Sequence, residues 1–433
     1  MATDARLADD AAPSSESAAA PSPAASGDIS RPKRTFSGLA PFASHAYRYL
    51  FVGTALTMSG NFMQQVAQGW LVYDLTSSPT WLGIISFARG FPMLILALPA
   101  GVLIDRFDRR GVLIFAQGCT ALVALVLSAL IWSGQVQPWH VALTAVASGC
   151  MFVLIVPTRQ ALVPATVERG MMGPAIALMA TAQSSGRVIG PSLAGVLIAA
   201  FGAATSFGVQ AVGFLLAFFC SSRLPPQPSS GTARKSSVLQ NLLEGVRYVR
   251  DDPTVFALIS LQAIPSVLIM PYVQLLPIFA RDILLTGPEG LGALMMANGI
   301  GAVLGAVAMV ALPTRRQGIF LFASLFMFGL LLAAFAASTS FALSVGIMGL
   351  IGVAQAVYLA TNNTLVQLAT PDELRGRVMS VYMMTWGLMP LGSLPQGMLA
   401  DWFGAPIVTG ATGLLACLVV VVMAIRRPAL RHM

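Results

Sequence analysis

Two arginines stand where a solvated charge does not belong. Arg89 and Arg187 each lie in the middle of a long apolar run, and a guanidinium at that depth is costly unless it faces a wet cavity or a hydrogen-bonding partner. Such a group recognises rather than reacts: it grips a carboxylate, another oxyanion or a carbonyl. Polar company is at hand. Asn61, Gln64 and Gln68, three and four apart, fall on one face of the first apolar run, because side chains at those spacings are helix neighbours. Gln262, Gln355, Asn362 and Asn363 offer amides at comparable positions later in the chain. Stripes of this kind are unfavourable against lipid and are expected to line a cavity. Asn61, Gln64, Gln68, Arg89, Gln262, Gln355 and Asn362 are therefore the candidate cavity set.

Covalent and metal chemistry find no footing at the same depth. No Asp, Glu or Lys lies deep in an apolar run, and His45, His140 and His432 fall at run ends or in tails. Cys119, Cys150, Cys220 and Cys417 sit inside apolar runs, at spacings that match neither a zinc site nor a disulfide framework. A phosphate-cradling G-x-x-x-x-G-K-[ST] loop is also missing. An enzyme needs a nucleophile with its base, or a metal cluster, at the site; the chain is expected to be no enzyme and to hold no metal or cofactor.

The elements that must position these residues are membrane helices. Apolar residues make up 56% of the chain, charged ones 10%, and the mean hydropathy is +0.77, outside the range of a soluble core. Runs near the ~20 residues that a span requires lie at 49–72, 80–104, 111–132, 138–163, 174–200 and 205–221, and again at 254–279, 288–312, 318–338, 341–368, 376–400 and 405–425. The expected fold is all-α, with twelve spans. Charge tests the count: of the 25 Lys and Arg, Arg89 and Arg187 lie deep within spans and Arg281 on the opposite face, which leaves 22 on or at the edge of one side, Arg159 and Arg377 at span ends among them. That side is the cytoplasm by the positive-inside rule, and both termini belong there. The net charge of +8 is thus spent on topology; no basic domain or aromatic platform for nucleic acid accompanies it.

Five regions follow: a disordered Ala-, Ser- and Pro-rich cytoplasmic tail over 1–45, a six-helix half over 46–221, a cytoplasmic linker over 222–252, a second half over 253–426 and a short tail over 427–433. The linker is expected to include an interfacial helix. The tail lacks the basic start and apolar segment of a cleaved export signal. The halves read as repeats, since Gly190, Gly195 and Gly202 recur as Gly392, Gly397 and Gly404, and Arg109-Arg110-Gly111 has a faint echo in Arg315-Arg316-Gln317-Gly318.

Where the second span ends, Gly101-Val-Leu-Ile-Asp105-Arg106-Phe107-Asp108-Arg109-Arg110 resembles the signature loop of the major facilitator superfamily. Gly186-Arg187-Val-Ile-Gly190-Pro191-Ser-Leu-Ala-Gly195 resembles its antiporter motif, with Ala194 in place of one glycine. Together with Thr370-Pro-Asp-Glu-Leu-Arg-Gly-Arg-Val-Met-Ser380, these segments are most similar to the enterobactin-exporter and drug-efflux branch. In one departure, Arg159-Gln160 lies near the cytoplasmic end of the fourth span instead of in its middle.

The resemblance implies two six-helix halves around a central path, lined by the first, fourth, seventh and tenth helices. It implies a multi-pass secondary exporter of small amphipathic molecules in the inner membrane, working as a monomer by proton antiport and alternating access. An uptake permease of the same fold, or a non-transporting sensor, are the alternatives. Gly101, Asp105, Arg106, Arg109 and Arg110 are then the gating loop, with Asp105 beside the start of the eleventh helix when the cytoplasmic side is closed. Thr370-Pro371-Asp372-Glu373 has the form of that helix start, with Thr370 capping and Pro371 first. Gly186, Arg187, Gly190, Pro191 and Gly195 are the packed, kinked span of the antiporter motif. Asp74, closing the first span, is the candidate for proton coupling. Gly397-x-x-x-Asp401 looks like half a signature but belongs by topology on the outer face.

Overall fold

The structure, a computed structural model, describes residues 39–227, 238–311 and 317–432. Residues 1–38 of the expected tail, part of the linker, and Arg315 and Arg316 lie outside the described residues; the end of the expected tail is ordered instead, a 3-10 turn at Ala40–Ala43 leading into the helix that starts at His45. The helices are α1 (His45–Thr76), α2 (Pro79–Arg106), α3 (Arg109–Trp132), α4 (Pro138–Thr166), α5 (Met172–Phe201), α6 (Ala203–Ser222), α7 (Val238–Asp251), α8 (Pro253–Leu268), α9 (Tyr272–Ile278), α10 (Gly287–Ala311), α11 (Gln317–Ala337), α12 (Phe341–Ala369), α13 (Asp372–Met384), α14 (Met389–Phe403) and α15 (Ala405–Arg426).

Local sequence explains the boundaries. Pro79, Pro138 and Pro253 open α2, α4 and α8, where a missing N–H costs nothing and the fixed φ is already helical. Ser44 accepts from the Tyr47 amide and starts α1 four residues before the apolar run. The recurring glycines also repeat in geometry: Gly202 at φ +83° separates α5 from α6, and Gly404 at φ +85° separates α14 from α15. A side chain would strain either one-residue turn.

Among the described residues, ten helices are long and apolar enough to cross a membrane. The expected first and eleventh spans are not among them, for physical reasons. The first, α1, carries Asn61, Gln64, Gln65 and Gln68 through its middle. The eleventh is broken, α13 passing through a 3-10 turn at Thr385–Leu388 into the 15-residue α14. The seventh is broken too, as Pro265, Pro271 and Pro277 foreshadow: α8 stops at Leu268, α9 begins at Tyr272, and a π-helical segment, Phe279–Ile283, follows. Pro271 cannot donate to the ladder, and Gln396 Nε2 satisfies the freed Val267 and Leu268 carbonyls at 3.1 and 2.8 Å. The expected cap of α13 needs correction. Pro371 takes the cap position, while the Thr370 hydroxyl donates to the Val366 carbonyl at 2.7 Å and so finishes α12.

Within the first set of helices α1 packs on α5 and α6, α2 on α4, and α3 on α4 and α6; within the second α10 packs on α12, and α11 on α12 and α15. Two seams join the sets, α5 with α10 and α2 with α14. Both are glycine contacts of backbone on backbone. A Cβ at Gly195 would meet the Pro288 carbonyl at 2.7 Å, and one at Gly397 would meet the Pro79 carbonyl at 2.7 Å and Gly83 Cα at 3.0 Å. Gly195 is six residues from the end of α5 and Gly83 four from the start of α2. The seams thus lie toward one end of the bundle, here called the clasp end. Toward the other, the loop end, α2 is covered on one side only: Ala100 and Ile104 are buried, while Ile95 and Leu103 are exposed and a Cβ at Gly101 would meet nothing within 4 Å.

Candidate functional site

Between the seams lies a cavity of about 330 Å³, bordered by Gln65 and Gln68 of α1, Ser86 and Arg89 of α2, Phe152 of α4, Gln274 of α9, Met295 of α10 and Trp386 of the break before α14. Helices of both sets contribute to its wall. The volume is within the range of small-ligand sites.

Arg89 is gripped from α1. Its Nη2 donates to the Asn61 carbonyl at 3.0 Å and to Asn61 Oδ1 at 2.5 Å. Asn61 is thereby the residue that aims the charge. Gln68 borders the same cavity, and both of its polar atoms are buried without a partner.

The other candidates go elsewhere. Gln64 donates to the Ser148 hydroxyl at 2.7 Å and ties α1 to α4. Gln262 and Asn362 are fully buried in a knot where Tyr358, Tyr382 and Asn362 converge on Gln262 Oε1 at 2.9, 3.2 and 3.3 Å. That knot holds α8, α12 and α13 together. Gln355 points at the Met270 sulfur, 3.0 Å away. None of the four borders the cavity, because an amide with a neighbouring partner saves more by packing than by facing open space.

The antiporter-like segment divides its duties. Gly186 and Gly190 press α5 against α1, where a Cβ would meet Met58 Cβ at 2.7 Å and the Ser59 carbonyl at 2.5 Å. Gly195 crosses the seam to α10, Pro191 is buried inside α5, and Arg187 lies over the Phe62 ring at 5.6 Å. Arg187 does not border the cavity. The sequence placed Arg159 near a span end but did not show it to be a third buried cation: it is 3% exposed, and neither terminal nitrogen has a partner.

At the loop end, Asp108 caps α3 through Oδ2 on the Gly111 amide at 3.0 Å, and its Oδ1 accepts from the Gln227 amide at 2.9 Å. Arg110 donates to the Ser222 carbonyl at 2.5 Å and Arg109 to the Ala161 carbonyl at 3.5 Å. Arg106 is exposed. The Asp105 side chain lies outside what is described.

The clasp end carries a second polar cluster that no single segment announces. Tyr73 OH donates to Asp282, Arg281 reaches the Tyr73 carbonyl at 3.1 Å, and Asp74 pairs with Arg281 at 3.6 Å. Beside them Asp401 accepts from the Thr80 amide at 3.0 Å and from the Ser78 hydroxyl at 3.1 Å, and also takes the Thr80 hydroxyl. Ser78 makes no side-chain cap of its own. A carboxylate from α14 therefore caps α2, where unpaired amides and the helix dipole favour negative charge. All these contacts join the first helix set to the second.

A family model described as transmembrane secretion effector matches residues 36–433. The chain belongs to that family. Its relatives are transporters of the major facilitator superfamily, and it is, like them, a multi-pass membrane protein and no enzyme. The staphyloferrin A transporter of Staphylococcus aureus (strain NCTC 8325 / PS 47) is 27% identical over 82% of this chain and 90% of its own. The multidrug efflux pump Tap of Mycolicibacterium fortuitum is 27% identical over 89% and 96%. The enterobactin exporter EntS of Shigella boydii serotype 18 (strain CDC 3083-94 / BS512) is 26% identical over 77% and 80%. Among solved structures, the nucleoside transporter NupG superposes with a TM-score of 0.71 at 12% identity, covering 89% of this chain and 98% of that one, which speaks for the fold alone. The secretion-effector helices thus enclose a central cavity with one aimed arginine and a clasp across one end.

Proposed function

We propose that this protein is a secondary exporter of small amphipathic molecules, siderophore-like metabolites or drugs, acting in the inner membrane by alternating access. Twelve spans form two halves, 46–221 and 253–426, with the broken α8–α9 and α13–α14 segments each counting as one span. Loop-end arginines, among them Arg106, Arg109, Arg110, Arg223, Arg426 and Arg427, put that end in the cytoplasm; the clasp end faces out. The observation that carries the reading is the asymmetry of the cavity, whose walls come from both halves, closed by the clasp and both seams on one side and flanked on the other by the end of α2 where Ile95, Gly101 and Leu103 are uncovered. This is the shape of a carrier loading from the cytoplasm. The named activities of its relatives, among them a multidrug efflux pump and an enterobactin exporter, support the outward direction.

Proton antiport is part of the proposal, with Asp74 in the clasp as the group that exchanges protons with the outside. A deletion strain, compared with its complemented parent for retained metabolites and drug sensitivity, tests the direction. Retention of a compound in the deletion strain, released by complementation, supports export. Loss of uptake of a compound instead replaces this reading with the permease of the same fold.

A further inference from the structure

We propose that the cavity selects its cargo by negative charge, seating an anionic group of an elongated amphipathic molecule on Arg89 and a neutral hydroxyl or amide of the same molecule on Gln68. The proposal rests on the export reading and deepens it by naming the cargo class.

Among the described residues that border the cavity, Arg89 is the one with a charged side chain. Asn61 occupies Nη2 through two oxygens, which matches the two N–H groups of that nitrogen. Nε and Nη1 have no partner among the described residues, so three N–H donors of the guanidinium remain for a ligand; both of its paired-donor edges run through Nη2, and an anion is therefore met by single charge-assisted hydrogen bonds from Nε or Nη1. No acid among the described residues borders the cavity to neutralise the charge. A cationic cargo would meet only repulsion there, and in a cavity walled by Phe152, Met295 and Trp386 that repulsion is little screened.

Gln68 is the second, independent observation. It is 1% exposed, and both its amide nitrogen and its amide oxygen lack partners, a state that buried polar groups rarely occupy. A ligand offering both a donor and an acceptor relieves it. Position fixes the cargo's shape. Gln68 follows Asn61 by seven residues and shares its helical face, so the two stand about 10 Å apart along α1. The anion and the neutral polar group are therefore separated by a body that lies against the apolar wall.

The test measures binding, not transport, so that it fails separately from the export reading. Purified full-length protein in detergent is titrated by calorimetry with three probes of one shape: 2-naphthoate, 2-naphthamide and 2-naphthylmethylammonium. Expected is an order of affinity naphthoate, naphthamide, ammonium, with Arg89→Gln weakening naphthoate by about tenfold to a hundredfold, the worth of a hydrogen bond to a charged group, while leaving naphthamide within about twofold. Arg89→Lys, which keeps the charge but not the planar guanidinium, should retain a preference for naphthoate, and guards against a variant that merely misfolds. Naphthoate binding no tighter than naphthamide in the wild type, including no binding of either, overturns the proposal. So does an anion preference that survives Arg89→Gln. Anion binding through Arg89 in a protein that exports nothing would leave the cargo class standing and remove the export reading.

Discussion

Two segments of this chain read Gly-x-x-x-Asp at the end of a span, and they stand in opposite circumstances. Gly397 is pressed against Gly83 across a seam, and Asp401, one turn on, caps the first turn of α2. Gly101 faces nothing within 4 Å, and the charged groups described around it, Asp108, Arg109 and Arg110, bond to backbone that precedes α8. The glycine of the same short pattern is thus pressed into a helix contact at one end of the bundle and faces open space at the other. A glycine allows two helices to touch, and an aspartate four residues later then falls on the neighbour's amide end, where a carboxylate is stabilised. On the proposed alternating access such a pattern would work as a latch, and two latches at opposite ends would not both be shut in a carrier that opens each side in turn. The loop that resembles the superfamily signature is, on that proposal, the counterpart of the Gly397 latch, with its glycine uncovered in this conformation.

The strongest way to break the comparison is to wedge the closed latch. In Gly397→Val the added carbons have backbone on every side, with the Pro79 carbonyl at 2.7 Å and Gly83 Cα at 3.0 Å from the first of them. Overpacking of this kind costs about 1–3 kcal/mol, and the halves relieve it by parting at the clasp end. A cysteine placed at Met295 in the cavity wall should then react faster with an impermeant maleimide from outside and more slowly in everted vesicles. Gly101→Val, which meets open space, should leave labelling on both sides near the wild-type level. Equal effects of the two valines would end the distinction between the latches.

How much of this was legible beforehand follows from what a single segment can report. Hydropathy located ten of the twelve expected spans among the described residues, because it is a local property. Arg89 and Gln68 were recognisable as polar groups in apolar surroundings, and they do border the cavity. Gln64, Gln262 and Gln355 looked the same in sequence. They differ only in having neighbours such as Ser148, Tyr358 and Met270 from other helices, which no spacing along the chain reveals. The clasp was hidden for the same reason. Arg281 read as a lone cation and Asp401 as a false signature, although both were placed on the outer face, because their partners are Asp74 and Thr80, more than two hundred residues away. The unpartnered guanidinium of Arg159 had no local sign at all.

Neutralising each aspartate in turn sharpens the comparison at about equal size and opposite sign. Asp401 is solvent-exposed, where a charge at a helix end is worth about 0.3–1 kcal/mol. Asp401→Asn keeps the acceptor but loses the charge, so the outward-open population should rise by about twofold to fivefold, an energy of that size divided by RT. Asp105→Asn should move the population toward the cytoplasm-open form by a similar factor, with normal insertion, since the arginine count that sets topology is intact. Spin labels bridging the two ends in lipid nanodiscs read both shifts. Movement in the same direction for the two variants would deny that these are counterparts.

The smallest effect is expected from Asp74→Asn, and it is the one that bears on energy coupling. Asp74 pairs with Arg281 at 3.6 Å, with the two side chains 61% and 35% exposed, so the pair itself is worth about 0.2–1 kcal/mol at most. Arg281 keeps its hold on the Tyr73 carbonyl and lies over the Tyr73 ring, so the clasp survives the substitution and the distribution of conformations should shift by less than about fivefold. Coupling is a different matter. If the carboxylate takes a proton from outside as the clasp opens and returns it as the clasp closes, an amide abolishes the exchange while leaving the gate in place. Counterflow of a cargo in liposomes, which needs only the gate, should persist in Asp74→Asn, whereas accumulation driven by a pH gradient should vanish. Gradient-driven accumulation equal to wild type would make Asp74 a latch residue alone, and the proton site would then have to be sought in Asp282 or Asp401, the other carboxylates of the clasp.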